Sequence, residues 1–258
     1  MLKLETDGAV ARVTFDRPEV HNAFNDELIP QVTETFDELG ARDEIRAIVL
    51  AGNGKSFCAG GDLNWMKRMV DYTFEENVAD ATRMAGMFRS IASCPKPVIG
   101  RVHGAAFGGG AGVVAAVDIA VAVQSAKFGF TEVKLGIIPG VISAFVVARI
   151  GAGRAREFFT TGERFTADVA HGIGLVHQVV ADEAALDAMI ESKIEQIFTA
   201  APGAIAETKL LISEVSSRPL DSAIEYAAEA IARARSSPEG QAGMKAFLSR
   251  EKPPWVQK

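Results

Sequence analysis

Two glycine-rich segments carry the clearest potential for chemistry in this 258-residue chain. FCAGGDL spans residues 57–63 and HGAAFGGGAG spans residues 103–112, and each follows a β-branched run and precedes a segment with helical periodicity. Glycine lets bare backbone N–H groups approach a ligand, and a helix N-terminus adds partial positive charge. Two such turns at neighbouring strand ends could direct two N–H donors at one oxygen, forming an oxyanion hole. Tight packing of helix against strand is the alternative explanation.

A carboxylate in apolar surroundings is the second candidate. Glu132 lies in FGFTEVKLGIIPG, residues 128–140, among aromatic and aliphatic side chains. Such a group either pairs with a cation such as Lys134 or Arg149, or has its pKa raised by desolvation and serves in proton transfer. The residues alone leave both interpretations open.

Nucleotide, metal and hydrolase motifs are not supported by the spacing. AGNGKS at 51–56 has Val49 where a phosphate-binding loop needs its first glycine. The glycines of 104–112 do not follow the dinucleotide spacing G-x-G-x-x-G. The chain has no HExxH or GxSxG motif, its two cysteines lack CxxC spacing, and its four histidines are scattered. We therefore expect no metal site and no cofactor.

Charge and hydropathy limit the partners and the location. Lys plus Arg number 27 and Asp plus Glu number 33, so the formal charge is −6. A net negative charge repels the phosphate groups of nucleic acids, so nucleic-acid binding is not expected. The most apolar stretches, 112–123 and 137–148, are shorter than the ~20 residues that a membrane span needs. Two cysteines and the absence of a visible targeting segment favour a cytoplasmic protein without nucleic-acid or membrane partners.

The elements that would position these residues follow an α/β pattern. Short β-branched runs alternate with helical segments, which predicts a mainly parallel sheet covered by helices. Segment 26–39 is an amphipathic helix with Asn25 as a candidate N-cap. The predicted strands are 9–15, 45–51, 97–102, 117–123 and 175–180.

Helical periodicity replaces the strand signal after residue 182. Helices are predicted over 184–199, 203–215 and 221–235. Residues 1–182 are therefore expected to form the core, and residues 183–258 a helical lobe of the same structural unit. Because Ala-rich helices bury little area each, this lobe is expected to pack on another subunit.

Five motifs in one order resemble the enoyl-CoA hydratase/isomerase, or crotonase, family across nearly the whole chain. The resemblance implies a spiral of ββα units and a C-terminal lobe that forms a trimer or a dimer of trimers. It implies an acyl-CoA thioester substrate, with the N–H groups of Gly61 and Gly109 on its carbonyl oxygen. The motifs are HNAFN (21–25), FCAGGDL (57–63), VHGAAFGGGAG (102–112), FGFTEVKLGIIPG (128–140) and AFLSREKPPW (246–255).

The resemblance also implies contacts with coenzyme A, which enters as part of the substrate. Phe247 and Arg250 match terminal residues that reach nucleotide groups, often across a subunit boundary. The contacts for the pantetheine and adenine ends are Ala23, Ala59, Asp62 and Leu63.

One departure from the family pattern concerns the water. Hydratases of this family commonly carry two glutamates, and here Glu132 supplies the second while Gly112 stands at the first position. A missing positioning group can cost ~10²-fold in rate. Glycine also removes bulk, which predicts room for a branched or carboxylated substituent at Gly112. GGGAG (108–112) with FTEVKLGIIPGVIS (130–143) resembles the branch that hydrates 3-methylglutaconyl-CoA-like substrates in leucine or isoprenoid degradation.

Two alternatives remain open beside hydration. A Δ-isomerase moves a double bond without adding water, which suits Glu132 as the only proton shuttle. A non-catalytic acyl-CoA-binding protein would keep the pocket, but loss of Glu132 would be its signature.

Overall fold

The structure, a computed structural model, describes residues 1–256. Its strands form a six-stranded sheet in the order β1-β2-β3-β4-β6-β9 and a three-stranded sheet in the order β5-β7-β8. The strands are β1 Leu2–Asp7, β2 Val10–Phe15, β3 Ala47–Gly52, β4 Val98–Val102, β5 Ala105–Phe107, β6 Ile119–Val123, β7 Lys127–Gly129, β8 Arg164–Thr166 and β9 Gln178–Val180. The helices are α1 Leu28–Ala41, α2 Leu63–Met69, α3 Phe74–Ser93, α4 Gly109–Ala116, α5 Gly140–Thr161, α6 Ala167–Gly172, α7 Glu183–Thr199, α8 Pro202–Ser217, α9 Leu220–Ser236 and α10 Pro238–Ser249.

The predicted mainly parallel sheet is confirmed. Each of the five β-branched runs overlaps one strand of the large sheet, namely β2, β3, β4, β6 and β9. Their four successive pairings are parallel, and β1 alone pairs antiparallel, with β2. Buried aliphatic side chains fill both faces of the middle strands, as the burial pattern of β3 shows.

The small sheet gives the core its repeating order of strand, strand and helix. β4 in the large sheet is followed by β5 in the small sheet and then by α4, and β6 is followed by β7 and then α5. All eight residues of α4 are buried, so this helix lies inside the molecule between α3 and α5. The carboxyl end of β4 leads directly into the second glycine-rich segment, and that of β3 reaches the first through residues 53–56.

Helix boundaries follow local capping signals. α1 begins at Leu28, two residues later than predicted, so its N-cap residue is Glu27 and not Asn25. Asn25 still accepts a hydrogen bond from the Leu28 N–H, at 2.8 Å from Oδ1. α3 was not predicted, although its start carries a capping box: the Thr73 side chain accepts from the Glu76 N–H at 3.1 Å, and Glu76 accepts from the Thr73 N–H.

The four C-terminal helices differ in how many residues they bury. α7 buries Leu186, Ile190 and Ile194 against the large sheet. α8 and α9 bury no residue within one chain. The boundary at residue 182 stays a prediction. Within residues 1–256, no helix has the length and apolar character needed to span a membrane.

Candidate active site

The first glycine-rich turn leaves the N–H of Gly61 free. Phe24 pairs with this turn in parallel: its N–H donates to the Gly60 carbonyl at 2.7 Å, and its carbonyl accepts from the Asp62 N–H at 2.8 Å. In a parallel pairing of this kind the N–H of the residue between the two hydrogen bonds, here Gly61, points away from Phe24. Within residues 1–256 the Gly61 N–H forms no hydrogen bond. It is available to an external acceptor.

The second turn ends in the free N-terminus of α4. Gly108 is the N-cap, with φ 50° and ψ −118°, a conformation that glycine adopts without strain. The first helical hydrogen bond is made by Gly112, whose N–H donates to the Gly108 carbonyl at 3.0 Å. The N–H of Gly109 therefore belongs to the unsatisfied first turn, where the helix dipole places partial positive charge.

The two turns lie side by side. Phe24 pairs with the Gly61 turn, and its ring also packs against α4, since a Cβ added at Gly109 would lie 3.1 Å from Phe24 Cδ2. A Cβ added at Gly108 would lie 4.0 Å from the Cα of Gly60. Whether the two N–H groups converge on one oxygen stays a prediction.

The thiol nearest these turns is not a nucleophile. Cys58 is fully buried beneath α4, and burial raises the pKa of its thiol to about 12. Its backbone approaches α4 so closely that a Cβ at Gly110 would collide with the Cys58 carbonyl oxygen. Packing thus accounts for Gly110, while the N–H of Gly109 remains free for a ligand.

Glu132 brings a carboxyl group to the same place. It begins a 3₁₀ turn, Glu132–Leu135, and its Oε1 lies 3.2 Å from a Cβ added at Gly108. Its Oε2 is buried without a hydrogen-bond partner among residues 1–256. Burial raises the pKa of Glu132, and the hydrogen bond from its own backbone only partly opposes this. A carboxyl group with a raised pKa therefore lies beside the α4 N-terminus.

The ion-pair interpretation of Glu132 is wrong. Within the described chain Glu132 forms no salt bridge with Lys134 or Arg149. The Arg149 guanidinium instead donates to carbonyls at the C-terminal end of α4, including that of Ala115 at 3.1 Å. It stabilises the end of α4 opposite the glycine turns.

We expect the stability of a Glu132→Gln variant to depend on pH. Because burial raises the pKa of Glu132, the favourable contribution of its protonated form is lost as pH rises through that raised pKa. The neutral glutamine should therefore make the protein more stable than wild type at neutral pH. The gain should shrink near the ordinary carboxyl pKa of ~4.3. Urea unfolding at both pH values measures this, and a gain independent of pH would contradict it.

A buried ion pair holds the Gly61 turn in place. The Arg17 side chain donates to Asp62 Oδ2 at 2.8 Å, and the Asn64 N–H donates to Oδ1 at 2.8 Å as the N-cap bond of α2. Burial tends to raise the pKa of Asp62, but the hydrogen bonds from Arg17 and from the α2 backbone outweigh it and keep that pKa below its ordinary value. Sequence analysis missed Arg17, because its partner lies 45 residues away and no local motif marks it.

Asp62→Asn should impair both stability and turnover. The side chains of Arg17 and Asp62 are only 12% and 7% exposed, and breaking a buried pair costs about 3–5 kcal/mol. Turnover should fall as well, since the residue beside Gly61 loses its anchor. Arg68→Met is the control, because it breaks an ion pair with Asp26 whose side chains are 49% and 50% exposed. Denaturant melts should show a change below ~1 kcal/mol for the control, and equal losses in the two variants would refute the anchoring role.

Comparison with known proteins identifies the family. Residues 5–258 match the model of the enoyl-CoA hydratase/isomerase family. The chain belongs to this family. It is 32% identical over 255 residues to the short-chain-enoyl-CoA hydratase of Clostridium acetobutylicum, covering 96% of this chain and 95% of that protein. It is also 32% identical over 253 residues to the 1,2-epoxyphenylacetyl-CoA isomerase of Escherichia coli, covering 96% and 95%.

A solved structure of an enoyl-CoA hydratase from Shewanella pealeana superimposes with a TM-score of 0.94 at 36% identity, covering 98% of this chain and 95% of that one. The predicted crotonase-like α/β fold with its helical C-terminal region is therefore confirmed. The chain is an enzyme of the enoyl-CoA hydratase/isomerase family, and the family implies an acyl-CoA thioester as substrate.

The prediction of open space at Gly112 is wrong for this family member. A Cβ added at Gly112 would lie 3.0 Å from Cβ of Ile142 and 3.1 Å from Cε1 of Phe88. Both of those side chains are buried, on α5 and α3. The volume that a glutamate would need is therefore filled by Ile142, and Gly112 is required by close helix packing.

The predicted contacts for coenzyme A differ in how available they are. Leu63 is 74% exposed at the start of α2, whereas Ala23 is 6% exposed and Ala59 is half-buried. Both carboxylate oxygens of Asp62 are already occupied within the protein, so its side chain positions the Gly61 turn. Coenzyme A binding by these four residues stays a prediction.

Phe247 and Arg250 are not brought to the site within one chain. Trp255, which follows them, accepts a hydrogen bond from Arg46 at 2.9 Å just before β3 begins, whereas Gly61 follows the other end of β3. Phe247 is 82% exposed on α10.

One large cavity lies elsewhere. It has a volume of about 910 Å³, lies between α8 and the core, and contains neither glycine turn nor Glu132. Among residues 1–256, no three His, Cys, Asp or Glu side chains cluster as metal ligands.

Proposed function

We propose that the protein adds water to a 2-enoyl-CoA thioester, or removes it in the reverse direction. The observation that carries the proposal is the position of the Glu132 carboxyl group beside Gly108, next to the free N–H of Gly109. A proton-transfer group and an anion-stabilising helix N-terminus then act on adjacent atoms of one substrate.

The proposed reaction proceeds through an enolate. The thioester oxygen accepts hydrogen bonds from the N–H groups of Gly61 and Gly109. The water oxygen bonds to Cβ while the C=C electrons move toward the thioester, and the two N–H groups stabilise the resulting oxyanion. Glu132 delivers a proton to Cα and is reprotonated by the proton that the water gives up. The net change is addition of H to Cα and OH to Cβ, and no cofactor is needed beyond the coenzyme A of the substrate.

Isomerisation is the second candidate, and Gly112 is the observation that favours it. With glycine at this position, Glu132 is the only carboxylate of the usual family pair. One carboxylate suffices to remove a proton at one carbon and return it at another. Mass spectrometry separates the two reactions, because hydration adds one water to the product mass and isomerisation adds none.

A branched substrate such as 3-methylglutaconyl-CoA is the finer proposal, and it places the enzyme in leucine degradation. It is supported by the motif resemblance of GGGAG (108–112) and FTEVKLGIIPGVIS (130–143). Because Ile142 fills the volume beside Gly112, room at that position does not support it.

A panel of 2-enoyl-CoA esters assayed for water gain tests the proposal. We expect hydration of at least one ester, with 3-methylglutaconyl-CoA turned over faster than crotonyl-CoA. Faster turnover of crotonyl-CoA would remove the branched substrate alone. Mass-neutral conversion of every ester would replace hydration with isomerisation, and no conversion at all would leave an acyl-CoA-binding protein.

We further propose a cytoplasmic homotrimer or dimer of trimers. The free, buried thiols of Cys58 and Cys94 suit a reducing compartment. Exposed apolar side chains on helices that bury nothing in one chain favour coverage by another subunit. Light scattering coupled to size exclusion measures the mass, and a monomer would contradict the assembly. The apolar side chains, 47–74% exposed, are Leu210, Ile212, Leu220, Ile224 and Ile231.

A further inference from the structure

A second buried carboxylate lies on α3. Asp80 is 3% exposed, and its Oδ1 accepts a hydrogen bond from Arg83 at 3.0 Å. Arg83 lies one turn away on the same helix, and its side chain is 62% exposed. The other oxygen, Oδ2, forms no hydrogen bond with any residue that the structure describes. Carboxylates are rarely this buried. The small exposure that Asp80 keeps leaves Oδ2 able to accept a hydrogen bond from a water molecule.

The packing of α3 on α4 shows where Asp80 lies. Met84, one turn after Asp80, reaches the first residue of α4, since its Cε lies 2.8 Å from a Cβ added at Gly109. Phe88, a further turn on, lies 3.1 Å from a Cβ added at Gly112. The two helices therefore run in the same direction, with Met84 level with the start of α4.

Asp80 is thus level with the space in front of the α4 N-terminus. Asp80 precedes Met84 by four residues, which span about 6 Å along a helix axis. Asp80 therefore lies roughly 6 Å in front of Gly109 along the direction of α4. The Gly61 turn and the Glu132 carboxyl group border the same space, because Gly60 and Glu132 both lie beside Gly108. Asp80 approaches it from α3, whereas Glu132 approaches it from the turn before α5.

We propose that Asp80 is the water-binding carboxylate of this enzyme and takes the part that a glutamate at position 112 would play. This inference rests on the proposed hydration. Asp80 accepts a hydrogen bond from the water and orients its oxygen toward Cβ, while Glu132 exchanges the proton at Cα. The carboxylate that holds the water thus lies on α3 and not on α4, and Ile142 fills the volume beside Gly112 on α4.

Asp80→Asn in the full-length protein, with Arg83→Gln as its control, tests this role. We expect Asp80→Asn to lower kcat for hydration by at least ~10²-fold, with KM changed less than about threefold, because a positioning group for the nucleophile is lost. Exchange of the Cα proton of a saturated acyl-CoA in D₂O should stay within about threefold, because it needs only Glu132 and the N–H pair. Arg83→Gln removes the ion pair but keeps the carboxylate, so its hydration rate should stay within about twofold of wild type.

Each of the following outcomes overturns the proposal. Equal losses in the two variants would show that Asp80 serves only the ion pair. Full hydration by Asp80→Asn would show that another group holds the water. Absence of hydration in the wild type, with Cα exchange retained, would overturn hydration itself and with it this role. If Asp80→Asn does not fold, Asp80→Glu replaces it, since the displaced carboxylate should lower hydration without lowering exchange; an unchanged hydration rate would again overturn the role.

Discussion

Glu132→Gln is expected to lower turnover by at least ~10²-fold while thioester binding persists. Glutamine has the shape of glutamate but cannot exchange a proton, and the N–H groups that hold the thioester are untouched. Among residues 1–256, Oε2 of Glu132 has no hydrogen-bond partner, and burial raises the pKa of this carboxyl group, as the proposed proton transfer requires. Calorimetric titration with a saturated acyl-CoA measures binding, and steady-state assay with a 2-enoyl-CoA measures turnover.

Glu163→Gln is the matched control, because this exposed glutamate lies in the same half of the chain. It should retain wild-type turnover. Retained activity in the Glu132 variant would show that the proton-transfer assignment is wrong, and loss of binding with loss of turnover would indicate a structural defect.

Gly109→Pro is expected to lower kcat by ~10²–10³-fold relative to Gly109→Ala. Both variants add a Cβ, which meets Met84 Cε at 2.8 Å and the Phe24 ring at 3.1 Å. Placing both in a Met84→Ala background provides room for that carbon. Only proline removes the N–H, and proline is tolerated at the first position of a helix. The ratio of the two rates therefore measures the loss of this donor together with the ring Cδ that takes the place of its hydrogen.

The result depends on both variants being folded, which far-UV circular dichroism and a thermal melt establish. Equal rates for the two variants would show that the N–H of Gly109 takes no part in stabilising the transition state. A ratio near tenfold would show that this hydrogen bond is only about 1.4 kcal/mol stronger in the transition state than in the bound substrate.

The sheet and the glycine turns could be predicted because their signals are local. β-branched runs specify β2, β3, β4, β6 and β9, and glycine marks the places where the backbone must approach closely. The start of α3 was also available, since Thr73 and Glu76 have the spacing of a capping box. The sequence could therefore have predicted that a helix begins at this point. It could not have predicted which face of α3 is buried.

The rest of the site depends on contacts between distant segments. Nothing beside Arg17 in the sequence indicates Asp62, and no pattern shows that Ile142 fills the space beside Gly112. The prediction of an open pocket there treated a missing side chain as empty volume. Protein interiors are close-packed, so a neighbouring helix filled it. The ion pair that was one of the two alternatives for Glu132 is absent for the same kind of reason in the described chain, because Arg149 donates to the carbonyls that end α4.

The most direct test is a crystal structure with a non-hydratable acyl-CoA bound. We expect the thioester oxygen to lie about 2.7–3.1 Å from the backbone nitrogens of both Gly61 and Gly109, with Cα beside the Glu132 carboxyl group. A thioester oxygen bound away from either nitrogen, or a carboxyl group turned away from Cα, would contradict the account.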